Sequence, residues 1–204
     1  MSQDPIGRRF WLFLVAAVLL VPATFAQSQS SRLQVLEAEA ARGDATAQFN
    51  LGVELYRGEK VERNLEKAAR LWRLAAKSGH VSAHNNLGYL VFFGRGVARD
   101  PEEGMRLWRF AAEGGHAEAQ FHLASTYMTG RHRRRNYLVA YAWAKTSAHH
   151  APTLAKLGGD PAVAEKARTL MRQARQSLSE NELGQAEERA AEFIARYGPQ
   201  ESNK

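Results

Sequence analysis

Three consecutive blocks of 36 residues, each opening on glycine, run without a gap from Gly43 to Ser78, Gly79 to Gly114 and Gly115 to His150. When the blocks are superposed, Ala47, Ala83 and Ala119 coincide, as do Leu51, Leu87 and Leu123. The same holds for Gly58, Gly94 and Gly130, and for Ala76, Ala112 and Ala148. Apolar residues at helical spacing in a repeat of this length describe a helix–turn–helix unit. One such unit has too little apolar surface to fold alone, so neighbouring units must bury each other's faces. The fold class that follows is all-α, an α/α solenoid of three repeats.

Within each block the first helix is expected to run from just after the leading glycine to about Tyr56, Phe92 or Met128. Gly58, Gly94 and Gly130 then supply the left-handed residue that ends a helix without strain on a Cβ. Asn64, Asp100 and Asn136 share one repeat position and read as N-caps of the second helix, with Pro101 in the first-turn site. The second helix is expected to close near Lys77, Glu113 and His149. The first helix carries its core stripe at Ala47, Leu51 and Leu55, and the second at Ala68, Leu71, Trp72, Ala75 and Ala76, echoed by Leu107, Trp108, Ala111 and Ala112, with Trp143 one place early. Small residues at Gly52, Gly88 and Ala124 face these indoles, so bulk on one helix meets a hollow on the other.

The pattern A-x-x-x-L-G-x-x-x-(Y/F)-x-G, then Asp or Asn, then A-x-x-x-W-x-x-A-A and G-x-x-x-A resembles the Sel-1-like repeat family, which is related to tetratricopeptide repeats. The resemblance covers 43–150 in three copies. It implies a right-handed superhelix acting as an adaptor scaffold, and an exported bacterial member. The third copy departs from the pattern, with Ala124 for glycine and Arg131-His132-Arg133-Arg134-Arg135-Asn136 in the turn.

The flanks divide as follows. Arg8 and Arg9 precede an apolar run from Phe10 to Val21, then Pro22 and a small-residue stretch to Ala26, the layout of a signal peptide over 1–26. The run is shorter than the ~20 residues of a spanning helix, so export to the periplasm or medium is expected, the alternative being an inner-membrane anchor through 10–26. Residues 27–42 read as a partial helix covering the first repeat, 151–160 as a linker, 161–197 as a capping helix pair and 198–204 as a tail. In that pair Ser179 and Glu182 form a capping box.

The chain has no cysteine, which excludes disulfides, thiolate metal sites and a cysteine nucleophile. His80 and His84 are four residues apart but lack a third ligand nearby, and no His-Glu-x-x-His, Gly-x-Ser-x-Gly or phosphate loop is present. No catalytic residue, metal site or cofactor is therefore expected. The net charge of +7 favours acidic partners without naming one. The run Arg131, Arg133, Arg134 and Arg135 reads as a solvated turn or a site for anionic envelope polymer or lipid. With no interleaved aromatic it does not suggest nucleic acid.

What remains is a surface. If the first helices line a groove, the positions outside the core stripe point into it: Phe49, Asn50, Val53 and Arg57; Asn85, Asn86, Tyr89 and Phe93; Phe121, His122, Ser125 and Thr129. These vary between blocks while the packing positions repeat. Exposed aromatics need covering, and Asn85 and Asn86 suit an extended peptide backbone. The expected partner is another protein or peptide, with membrane contact only through an uncleaved signal segment.

Overall fold

The structure, a computed structural model, describes residues 32–156 and 159–198. The expected signal peptide 1–26 and the end of the tail lie outside the described residues. All regular elements among them are helices: α1 (32–41), α2 (Ala45–Arg57), α3 (Leu65–Lys77), α4 (Val81–Phe93), α5 (Pro101–Glu113), α6 (Ala117–Thr129), α7 (Tyr137–Lys156), α8 (Val163–Arg175) and α9 (Glu180–Arg196). The repeats are the pairs α2–α3, α4–α5 and α6–α7. The second helix of each packs on the first helix of the next, and α8 and α9 close the stack on α7.

The turns form as their residues dictate. Gly58, Gly94 and Gly130 sit at φ of 73°, 70° and 70°, and their N–H groups bond back to the last turn of the helix. Asn64, Asp100 and Asn136 accept the N–H of Lys67, Glu103 and Val139 at 2.8–2.9 Å. Helix α1 is a second repeat helix in register. Its Ala40 carbonyl accepts from Gln48 Nε2 as the Ala112 carbonyl accepts from Gln120 Nε2, and Ala40 and Ala112 are two periods apart.

Each indole fills the hollow its partner glycine leaves. Trp72 and Trp108 are buried in successive core clusters, and their Nε1–H groups donate to the Phe49 and Asn85 carbonyls at 3.1 and 3.2 Å. A Cβ on Gly52 would stand 2.4 Å from Trp72 Nε1, and one on Gly88 2.8 Å from Trp108 Cδ1. The third repeat tolerates Ala124 because the position that would carry the facing tryptophan is Ala144, buried in the same cluster. Its indole, displaced to Trp143, packs instead against Phe193 of α9 and stacks on Tyr197 at that helix's C-cap, centroids 4.3 and 5.8 Å away.

Two expectations are corrected. The linker placed at 151–160 does not begin at 151, because α7 continues to Lys156. Gly79 and Gly115, which end α3 and α5, both take φ of 82°, but the equivalent residue is Ala151, which stays helical. Pro152 falls where Asp44, His80 and His116 cap the next helix, and the chain leaves the helix within a turn of it. Leu51 and Leu55, expected in the core stripe, are half-buried. Unlike Leu87 and Leu123 they belong to the end repeat, and with Leu71 and Leu74 they line an open apolar cavity of about 580 Å³ beside α1.

Candidate functional site

The first helices of all three repeats converge on one cavity of about 290 Å³. Asn85, Asn86 and Tyr89 line it from α4, Glu118 and His122 from α6, Tyr56 from α2, and Trp72 from α3 beneath. Side chains three and four apart share a helix face, so Asn85, Asn86 and Tyr89 of α4 stand opposite Glu118 and His122 of α6.

The polar groups are tied together. Asn85 Nδ2 donates to Glu118 Oε2 at 3.0 Å and to Asn86 Oδ1 at 3.2 Å, while Asn85 Oδ1 is buried without a hydrogen-bond partner. Burial pushes the Glu118 carboxyl above the usual carboxylate range, against the Asn85 hydrogen bond. His122 lies flat on Trp108 with centroids 4.4 Å apart. Burial first, then His116 and Lys166, pushes it down to about 3, so the ring is neutral at physiological pH. Two rim rings carry cations of the chain itself, Arg95 over Tyr89 at 5.0 Å and Arg63 over Tyr56 at 5.8 Å.

Of the groove residues expected from sequence, the cavity unites Asn85, Asn86, Tyr89 and His122. Phe93 lies beside it, 46% exposed, its ring 4.9 Å from Tyr89. Phe49 stacks on His80 at 4.5 Å. Asn50, Val53 and Arg57 line a different cavity against α1. Two assignments are corrected. Asn85 is 2% exposed, so its amide is committed to Glu118 and Asn86 and is not offered to a peptide backbone. Phe121 is not a groove ring: it packs on Ala151 and Val163, because the run-on of α7 and the start of α8 cover it. Ser125 is half-buried, and its carbonyl accepts from the Thr129 hydroxyl at 2.9 Å.

Sequence reasoning missed Tyr56, Trp72 and Glu118. The usable signal was Glu118, an acid where the other repeats carry Thr46 and Ser82. Among the described residues no three histidine, aspartate or glutamate side chains are grouped as a metal would need, and no helix is long and apolar enough to cross a membrane. The arginine turn is partly spent on its own scaffold. Arg133 lies over Tyr127 and donates to its hydroxyl, Arg135 donates to the Tyr137 hydroxyl at 3.1 Å, and Arg131 and Arg134 are exposed.

The family model of the Sel1 repeat matches residues 45–80, 81–116 and 117–151, just over half of the chain. The chain belongs to the Sel1 repeat family. Members of this family are generally protein-interaction scaffolds and typically not catalytic. Among solved structures, a protective antigen present in uropathogenic Escherichia coli strains, with an SLR fold, is 29% identical with a TM-score of 0.70 over 82% of this chain. The present chain spans 33% of that protein's length. A Sel1 repeat protein from Oxalobacter formigenes is also 29% identical, with a TM-score of 0.55 over 70% of this chain and 98% of its own. No curated protein matches the chain in sequence.

Proposed function

We propose that this Sel1 repeat chain is a non-catalytic scaffold that captures another protein or peptide in the cavity between α2, α4 and α6, and that it does so after export from the cytoplasm. The observation that carries the reading is the convergence of Asn86, Tyr89 and His122 with Tyr56 and Glu118 from three successive repeats on a single opening. Packing positions recur with the period; Tyr89, Glu118 and His122 do not. A cavity of that size, with aromatic walls and a few polar groups, matches the anchor pockets where interface energy concentrates. Export rests on the arginine pair, apolar run and small residues before Gln27.

The test pairs Asn86→Ala with Tyr89→Ala and introduces a photo-crosslinking residue at Phe93. Partner crosslinks are expected to vanish in the double variant while its far-ultraviolet circular dichroism stays that of the folded protein at the assay temperature, the melting point falling only by the packing Tyr89 gives up. Undiminished crosslinking by the double variant contradicts the assignment. N-terminal sequencing of the protein from the periplasmic fraction tests export, with Gln27 expected as the first residue.

A further inference from the structure

Glu118 is a carboxylate that the repeat architecture does not call for. The matching residues Thr46 and Ser82 occupy the first turn of their helices without a charge, and Asn85, its one hydrogen-bond donor, replaces the phenylalanine found at Phe49 and Phe121. The Asn85–Glu118 bond therefore occurs once in the array, at the α4–α6 junction. A carboxylate in the first turn is ordinarily favoured by the helix dipole, yet burial wins at Glu118 and holds its affinity for a proton above the usual range.

No guanidinium or ammonium among the described residues pairs with it. The charges around it are spoken for: Lys166 holds Asp160 at 2.7 Å, and Arg63 and Arg95 lie over the rim tyrosines. Only Oε2 receives a hydrogen bond. Beside it, Asn85 Oδ1, on a side chain 2% exposed, is a second unpartnered acceptor. The donors this pocket lacks are those a cation brings, and a buried charge is stabilised when it is paired and hydrogen-bonded. The walls are aromatic: Tyr56, Tyr89 and the neutral ring of His122, whose faces attract cations as Arg95 on Tyr89 already demonstrates. At about 290 Å³ the cavity lies at the small end of ligand sites, which suits one side chain better than a length of peptide.

We infer that the pocket is a socket for a single lysine or arginine side chain of the partner protein, gripped by the Glu118 carboxylate between the Tyr56 and Tyr89 rings. This rests on the scaffold reading above and specifies the chemistry of the captured segment. It also gives the site a sign opposite to that of the whole chain.

The test titrates the full chain with N-acetyl-arginine methylamide and, separately, with its neutral isostere N-acetyl-citrulline methylamide, following the Trp72 indole N–H by NMR. Saturable shifts are expected with the arginine amide and not with the citrulline amide. Glu118→Gln, which keeps an acceptor for Asn85, is expected to weaken the arginine amide about tenfold or more without lowering the melting temperature. Equal binding of the two amides, or unweakened binding by E118Q, overturns the inference. The crosslinking assay separates the two levels. If partner crosslinks vanish in the Asn86/Tyr89 variant but persist in E118Q, the scaffold stands and the cation socket falls; if they persist in both, both fall.

Discussion

Replacing Gly52 by alanine pits helix propensity against packing, and the structure decides the sign. In an exposed helix interior the change favours the fold by about 1 kcal/mol. Here the new methyl would stand 2.4 Å from Trp72 Nε1 and 2.7 Å from Cδ1, about an ångström inside ordinary contact. The indole is 2% exposed and cannot swing into solvent without abandoning its bond to the Phe49 carbonyl. Overpacking of a filled core costs about 1–3 kcal/mol and a stranded buried donor about 1–3 kcal/mol. Less the propensity gain, Gly52→Ala is expected to destabilise the protein by about 3 kcal/mol. Gly184 in α9, where a Cβ meets nothing within 4 Å, is the internal control, and Gly184→Ala is expected to stabilise by about 1 kcal/mol. Urea unfolding followed by circular dichroism at 222 nm reads both. A G52A midpoint at or above wild type refutes the reasoning, since the indole would then be free to move and the glycine would have no packing role.

Acid should weaken the fold before it reaches the carboxylates. His116 and His150 are pushed down to about 4 and His122 to about 3, burial being the first cause in each. Below about pH 6.5 the unfolded chain takes up protons on these rings that the folded chain refuses. Their contribution is thus intact above pH 7 and declines through pH 6 and 5, at up to about 1.4 kcal/mol per pH unit for each ring. Glu118, raised by burial, binds its proton more readily when folded and softens the loss. Urea midpoints at pH 7, 6 and 5 check this, and a flat profile contradicts it. In the basic turn, Arg133→Ala removes a guanidinium from the Tyr127 ring and is expected to lower stability by about 0.5–1 kcal/mol. Arg134→Ala is expected to leave thermal melts unchanged, and equal effects from the two would show that the tyrosine contact is idle.

The fold was legible because the period supplies its own redundancy. Three copies of alanine, leucine and glycine at matching positions fix helix ends and core faces together. Even the partial helix before Gly43 was readable, and the structure sets it in register through Ala40 and Gln48. What escaped was non-repeating by nature. Ala151 looks innocuous until it is seen to occupy the place of Gly79 and Gly115, and with it went the true end of α7 and the burial of Phe121. The site was half legible. Asn86, Tyr89 and His122 stand out as variable positions on first helices, whereas Asn85 turned inward because its partner, Glu118, lies 33 residues away. An acid in a first turn looks like a dipole partner, and nothing in one helix discloses that it faces a neighbour across a cavity.

The shifted indole of the third repeat sets a rule for how an array like this can lengthen. Trp143 is matched to Phe193 and Tyr197, Ala124 to Ala144, and Ala151 to a helix that does not stop. The C-terminal side of α6–α7 is therefore keyed to α8 and α9 and to no further copy of itself. A chain extended by inserting a second copy of 79–114 meets familiar neighbours at both new junctions. One extended by copying 115–150 supplies the missing glycine at the new junction but leaves the upstream tryptophan without its aromatic partners. Growth, in evolution or by design, belongs to the interior of the stack.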